Sequence, residues 1–278
     1  MVGAADKSDL GRVAIYCGLI AGALLVIAPF VWMVITSLLP MDHIYDMPPP
    51  LQWDQLQWGN YTKVFTIIPL GRFFANTVFV TLSVVILRLG VTTLCAYALA
   101  RLNFPGKNLF FMGMIASMMI PGEVQLIPGF VMMRWFNWLD TYQVMIVPRI
   151  ESIVHVFLMR QFFLTIPKDL EEAAIIDGCG HPRIIWHVIV PLSKPVLALV
   201  ALLAFRALWN DFMWPLIMTS STHLKTLQVG LALINTQQRE TGINLLMASN
   251  VLSLLPILLI FWLTQKTFVK GIALTGIK

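Results

Sequence analysis

The chain has 278 residues, 58% of them hydrophobic and only 12% charged, and its mean hydropathy is +0.79. Soluble domains carry roughly a quarter charged residues, so this composition excludes an ordinary soluble enzyme or binding domain and indicates an integral membrane protein. The formal net charge of +5 does not indicate nucleic acid, because the basic residues stand at the ends of apolar runs, as membrane orientation requires.

A spanning helix takes about 20 mostly apolar residues. Six stretches meet that length: Val13–Leu39, Phe73–Ala100, Lys107–Trp135, Tyr142–Leu164, Pro195–Met218 and Leu246–Phe268. The first is too long for the apolar core of a signal peptide and lacks a convincing small-residue cleavage site, so it reads as an uncleaved span. The loop Pro40–Leu70 carries Pro48-Pro49-Pro50, Trp53 and Trp58, and tryptophan suits a membrane–water interface. Span two holds Arg88 near its middle with no charged neighbour at helical spacing, which leaves two roles, pairing across helices or lining a path. Span three holds Pro121-Gly122-Glu123-Val124-Gln125 and then Pro128-Gly129. Broken helix is tolerated where it lines a cavity, so Glu123 and Gln125 are candidates for a polar path, against a plain kink in which Glu123 pairs with an arginine. Span four carries Arg149, Glu151 and His155, the last two at the spacing that shares a helix face. Span five carries Arg206, Trp209, Asn210, Asp211 and Trp214. Aromatics beside hydrogen-bonding groups suit sugar rings, and the same residues can instead pack between subunits. The loop Thr219–Leu245 is polar without evident chemistry. Cys17, Cys95 and Cys179 are scattered, and His155 sits in no metal-binding spacing, so neither a metal site nor a catalytic constellation is expected.

Six spans put both termini on one side. An inside N-terminus collects Lys7, Arg12, Arg101, Lys107, Lys168, Arg183, Lys194, Lys266, Lys270 and Lys278 on the cytoplasmic side. The outer side receives Lys63, Arg72, Lys225 and Arg239, with Arg134 near an outer end. The excess sets the orientation as N-in and C-in. The expected fold is therefore an all-α membrane protein of six transmembrane helices, with a polar cytoplasmic loop, residues 167–193, between spans four and five.

That loop is the most polar stretch of the chain. Pro167 suits a helix start, and Asp169, Glu171 and Glu172 place negative charge where the helix dipole favours it. Leu170, Ala173, Ala174 and Asp177 follow one helical face. Gly178 or Gly180 can end the helix in a left-handed conformation, and Pro182 can begin a second helix that Pro191 closes. The result is a pair of short helices around a glycine bend, suited either to covering the bundle or to entering a partner's groove.

The pattern Glu172-Ala173-Ala174, three residues, Gly178, nine residues, Val188-Ile189-Val190-Pro191 resembles the EAA loop of ABC-importer permeases. Val188 and Val190 stand where that family has Ile and Leu. "YALARLNFPGKN" after span two, "WNDFMWPL" in span five and "FVKGIALTGIK" at the end resemble the carbohydrate-uptake branch, near the smaller of the two maltose-type permeases. The resemblance covers essentially the whole chain and implies a single type I importer transmembrane domain over residues 1–278. It implies a second, homologous permease as heterodimer partner, two nucleotide-binding ATPase subunits and an extracytoplasmic solute-binding protein. It implies that Glu172, Ala173, Ala174, Asp177, Gly178 and Pro191 belong to the ATPase-coupling loop. It further implies a cytoplasmic-membrane location and a C-terminal tail, Phe268–Lys278, that reaches toward the ATPases. Gly106-Lys107 is followed by Asn108, and Arg101 stands where a phosphate-binding loop would have its first glycine, so ATP and Mg would belong to the partners.

Glu123, Gln125, Glu151, His155, Trp209, Asn210 and Asp211 are the candidates for the substrate path. A glycerol phosphate or glycerophosphodiester is the alternative substrate, with Arg149 or Arg206 as basic ligands. An ion-driven secondary transporter would need a broken span in each half as an inverted repeat, and only span three has an evident Pro/Gly interruption. A membrane enzyme would need a catalytic constellation that the five dispersed histidines do not supply.

Overall fold

The computed structural model describes residues 7–46, 53–236 and 242–275. Pro48-Pro49-Pro50, Arg239 and the chain end at Lys278 lie outside them, as do the side chains of Lys7, Lys266 and Lys270. No strand occurs among the described residues. In chain order the helices are α1 (Lys7–Leu38), α2 (Asn60–Ile67), α3 (Leu70–Arg101), α4 (Lys107–Ser117), α5 (Leu126–Trp135), α6 (Tyr142–Ile146) and α7 (Ile153–Thr165). They continue with α8 (Asp169–Ile176), α9 (His181–Ile184), α10 (Val190–Leu192), α11 (Lys194–Trp209), α12 (Met213–Met218), α13 (Leu227–Thr236) and α14 (Ile243–Thr275). Gly11–Leu38, Leu70–Arg101, Tyr142–Thr165 and Ile243–Thr264 are each long and apolar enough to cross a membrane. Two bent pairs raise the candidates from 4 to 6 if each pair is one span: Lys107–Ser117 with Gly122–Trp135, bent by 95°, and His181–Leu192 with Lys194–Trp209, bent by 83°.

The chain divides into two compact units. One comprises Met1–Pro69 and Leu231–Leu255. Its α1 is apolar on every side, and Leu25 is 77% exposed, the property of a helix that meets lipid or another subunit. The last carbonyls of α1 have no intrahelical partner, and the returning loop satisfies them. The buried Asn60 side chain donates to the Ser37 carbonyl at 2.9 Å, and the Gln57 N–H donates to the Leu38 carbonyl at 2.8 Å. The Ser37 and Tyr61 hydroxyls pair at 2.7 Å, and Asn244 donates to the Leu39 carbonyl at 3.2 Å.

The other unit comprises Leu70–Gly230 and Pro256–Lys278. The long α3 packs against α7 and α11. Close approach has a specific requirement at Gly230, where a Cβ would stand 2.1 Å from the ring of Phe73. One buried cluster joins Tyr97 and Ala100 of α3 and Met159 and Phe163 of α7 to Ala174 of α8 and to Ile184, Ile185 and Ile189 of the following segment.

Span four departs from the continuous helix expected from the sequence. It breaks into α6, a tight turn over Val147–Arg149, and α7. Pro148 is the cause: it has no N–H for the Val144 carbonyl and its ring opposes a continuing turn. Span five, expected as one helix over Pro195–Met218, also breaks. Asn210 leaves the helical conformation at ψ 6° and turns its side chain back onto the Arg206 carbonyl at 2.9 Å. The chain resumes as α12, whose first turn tolerates Pro215.

The start of the loop Thr219–Leu245, expected to be outer, is pinned rather than loose. Asn76 donates to the carbonyls of His223 and Lys225 at 2.8 and 2.9 Å and accepts from the Tyr142 hydroxyl at 2.7 Å. The Asp140 carboxylate accepts the N–H groups of Ser220 and Ser221, each at 3.0 Å, and the Ser221 hydroxyl. These donors, led by the Ser221 hydroxyl, hold the Asp140 carboxyl below its usual range. A lowered folded-state pKa contributes stability above the unfolded value of 3.8 that is lost as pH falls through the folded value. Melting of the purified protein is therefore expected to show a loss of stability below that range, and Asp140→Asn is expected to blunt this acid limb.

Candidate functional site

Two constellations lie within the unit built on α3. The first is the polar loop. Its helix α8 ends at Gly178, the second of the two glycines weighed above being extended instead, with φ −77° at Gly180. Gly178 has φ +77°, and the N–H of Cys179 bonds the Ala174 carbonyl while the N–H of Gly178 bonds that of Ile175, both at 2.9 Å. This is a Schellman ending, and it needs a residue without a Cβ penalty in the left-handed region. His181 and Pro182 open α9, which passes into a π-helical turn over Ile185–Ile189 before α10. Pro191 explains the wider turn, since it cannot donate to the carbonyl one α-turn back.

The face of α8 differs in one respect from its sequence pattern. Leu170, Ala173 and Asp177 are exposed, with Glu172 and Gly178 beside them, whereas Ala174 turns inward to the buried cluster. Glu171 turns inward with it, three residues earlier. Its Oε1 lies 2.5 Å from Nε of Arg101, with side chains 11% and 5% exposed. The contact is one of charge, because the Nε–H does not aim at the oxygen. Arg101 also donates through Nη2 to the Ile166 carbonyl at 2.6 Å. A second tie joins the Tyr97 hydroxyl to Nδ1 of His181 at 3.0 Å, their rings meeting edge to face. The loop is thus fastened at two points to the end of α3. Sequence reasoning took Glu171 for a dipole-favoured surface acid; the cue it passed over was Arg101, a cation ending an apolar helix.

The second constellation gathers the helix breaks. The Val144 carbonyl freed by Pro148 accepts Nε1–H of Trp214 at 2.8 Å. The carbonyls at the break in span four accept Arg88, which donates from Nε to Ile150 at 3.3 Å and from Nη2 to Arg149. Arg88 is 6% exposed, and the carbonyls of the broken backbone are the acceptors that satisfy its guanidinium. Arg149 extends to Asp211 at 2.7 Å, across to the break in span five, and its guanidinium lies 5.9 Å from the Trp214 ring. Trp214 in turn rests on Gly129 of α5, where a Cβ would stand 3.1 Å from the indole.

The path candidates separate accordingly. Asp211 belongs to this gathering, and Asn210 is exposed beside it. Trp209 is fully buried, edge-on to Phe74 at 5.5 Å and stacked on Phe205 at 5.3 Å, so it is core. Glu123 and Gln125 are exposed on the elbow between α4 and α5. Glu151 and His155 do not share a helix face: α7 starts only at Ile153, and Glu151 is exposed while His155 is buried. The space enclosed by Thr77, Thr81, Met145, Asp211, Trp214 and Thr226 is about 10 Å³, room for one water. Among the described residues, no three His, Cys, Asp or Glu gather as a metal site.

A family profile described as binding-protein-dependent transport system inner membrane component matches residues 89–273, which take in the polar loop and both breaks. The sn-glycerol-3-phosphate transport system permease protein UgpE of Yersinia pestis is 32% identical over 261 residues, 91% of this chain and 93% of that one. The arabinooligosaccharides transport system permease protein AraQ of Bacillus subtilis is 30% identical over 270 residues, 96% of each chain. A chain of a bacterial ABC transporter involved in the import of the acidic polysaccharide alginate superposes with a TM-score of 0.82 at 23% identity, covering 96% of this chain and 99% of its own, a likeness of fold.

Proposed function

Since this chain belongs to the family of binding-protein-dependent transport system inner membrane components, we propose that its polar loop is the lever through which partner ATPases drive it. The chain is a multi-pass permease of an ABC importer in the bacterial cytoplasmic membrane. The proposed arrangement is one transmembrane domain of six spans, approximately 13–39, 73–100, 107–135, 142–164, 195–218 and 246–268, with both termini inside and the polar loop 167–193 between the fourth and the fifth. Glu172, Ala173, Asp177 and Gly178 present the docking surface, Ala174 roots it in the core, and Pro191 shapes the return to α11. Two nucleotide-binding subunits bind ATP and Mg and close on hydrolysable nucleotide. A second, homologous permease completes the pore, and an extracytoplasmic binding protein delivers the substrate.

The observation that carries this reading is the double fastening of the loop to α3 by Arg101–Glu171 and Tyr97–His181. A surface decoration needs no such anchorage, whereas a lever must move as one body with the helix it drives. Closure of the ATPases would then tilt α3 and the helices packed on it, α7 and α11, switching the pore between inward-open and outward-open states.

The proposed cargo is a carbohydrate, an oligosaccharide or sugar derivative. The AraQ relatives favour it. The UgpE relatives support sn-glycerol-3-phosphate as the second reading. Against it, Arg149 is already neutralised by Asp211 at 2.7 Å. Purification of the tagged protein from its host in mild detergent is expected to bring down a stoichiometric ATPase and a second permease. A lone chain, or a homodimer transporting without ATP, would overturn the proposal. Titration of the cognate binding protein with oligosaccharides and with glycerol phosphate decides the cargo.

The Arg149–Asp211 pair ties span four to span five at their breaks, a place suited to an outer gate. Asp211→Ala removes one half and leaves a partly buried cation, a change worth about 1–3 kcal/mol. The expected outcome is a change of roughly tenfold in either uptake affinity or basal ATPase rate of the reconstituted importer. If both stay at the wild-type value, this cluster is packing only.

A further inference from the structure

The end of α3, the start of α4 and the flank of α7 enclose a cleft of about 460 Å³ that the transport reading does not use. Its lining includes Ala100, Asn103, Lys107, Asn108, Arg160 and Leu164. Arg160 is held in place there, donating from Nε to the Leu99 carbonyl at 3.2 Å while its guanidinium sits 4.0 Å from the centre of the Phe111 ring. Lys107 donates to the Leu102 carbonyl at 2.8 Å. Among the described residues neither cation has a carboxylate within ion-pair distance, and Lys168 adds a third positive charge near Lys107. Two cations directed at one cleft without a counter-charge ask for an anion.

The backbone makes the same demand independently. Gly106, at φ +78°, is the N-cap of α4 and provides no side-chain acceptor. The N–H groups of Asn108 and Leu109, in the first turn, have no intrahelical acceptor, and both residues line the cleft. No side chain crowds the position of Gly106, so an anion can approach these amides closely. The rim is apolar and open: Leu109 is 77% exposed, with Phe104 and Leu164 exposed as well. A free phosphate has no use for such a rim, whereas acyl chains do.

We propose that this cleft binds the phosphodiester headgroup of an anionic phospholipid, with Arg160, Lys107 and the first-turn amides of α4 on the phosphate and the acyl chains along Leu109 and Leu164. The cleft lies at the end of α3 that carries Arg101 and therefore on the side of the coupling loop. Only the naming of that side as the cytoplasmic leaflet rests on the transport reading. Basic pockets among span ends on this side are suited to such headgroups.

The test uses the intact importer in native mass spectrometry, loaded with phosphatidylglycerol or phosphatidylcholine. The expected result is one tightly retained phosphatidylglycerol per copy of this chain, held roughly tenfold better than phosphatidylcholine, and a loss of roughly tenfold on K107Q/R160Q. Asn108→Asp is the second variant. An acid in the first helical turn favours folding, yet it is expected to weaken phosphatidylglycerol retention several-fold by repulsion. Equal retention of both lipids, or unchanged retention in both variants, overturns the proposal. Displacement of the retained lipid by millimolar inorganic phosphate also overturns it, since the site would then take a free anion. A failure here leaves ATPase copurification untouched, so the two proposals fail separately.

Discussion

Gly178→Val is expected to abolish substrate uptake while the permease remains in the membrane at its normal level. Gly178 holds φ +77°, and the two hydrogen bonds that end α8 depend on that conformation. A β-branched residue pays at least about 1–2 kcal/mol in the left-handed region, and the cheaper course is for the bend to open. Apart from its chain neighbours, nothing lies within 4 Å of a Cβ added there, so the new side chain starts into open space, away from the buried cluster. What moves is the exposed surface of Glu172, Ala173 and Asp177 relative to α9. A partner groove that reads this surface loses its fit. Gly180→Ala supplies the control. Gly180 has φ −77°, open to any residue, and its added Cβ would meet only Pro182 at 3.9 Å. Near-normal uptake is expected from it. Radiolabelled uptake with quantitative blotting of the membrane fraction reads both variants. Normal uptake in Gly178→Val would remove the coupling role from the loop.

The contrast between these two glycines marks how far the sequence could be read. The loop was legible because its signals are local: a proline start, acids in the first turn, glycines at the end, a proline beyond. Which glycine turned left-handed was not, since both are followed within three residues by a helix start. Four of the apolar spans, those over Gly11–Leu38, Leu70–Arg101, Tyr142–Thr165 and Ile243–Thr264, were legible from length and composition. Interruptions were legible only where Pro and Gly cluster, as at Pro121-Gly122. The break in span four hangs on Pro148 alone, and a single proline in a span can merely kink it. It becomes a true break because Trp214, far away in sequence, takes up the carbonyl it frees, and Arg88 takes up the Arg149 and Ile150 carbonyls just beyond it. For the same reason Arg88 read as an isolated intramembrane charge: its partners are backbone atoms, which leave no trace in residue identity. Trp209 and Trp214 stand five positions apart in one motif, yet one is core and the other spans two breaks. Periodicity fails there because the helix that would define it stops at Trp209.

The Arg101–Glu171 pair carries the second large effect. Arg101→Met is expected to lower the thermal stability of the purified protein and to depress uptake at least tenfold at neutral pH. Removing one member of a buried pair leaves the other uncompensated, at a cost of about 3 kcal/mol. The low end of the range applies because the Glu171 side chain keeps 11% of its surface. The pair sits in tension even when whole: burial pushes the Glu171 carboxyl up, and the Arg101 charge opposes this without cancelling it. A raised folded-state pKa gives a contribution that is present below the unfolded value of 4.5 and lost as pH rises through the folded value. Without Arg101 the opposing pull is gone and the folded value climbs further. Arg101→Met should therefore recover part of its stability on mild acidification, as the carboxyl takes up a proton and tolerates its burial. Glu171→Gln should not, because it leaves no carboxyl there to take up a proton. The double variant Arg101→Met/Glu171→Leu replaces both charges by apolar groups, and its melting temperature is expected to return close to wild type. Its uptake separates fastening from charge. Recovery alongside stability means that any firm contact between α3 and α8 transmits the stroke. Stability without uptake means that the charge pair itself sets the angle of α8. Wild-type uptake in both single variants would show that the loop is held elsewhere and that the stroke does not pass through α3.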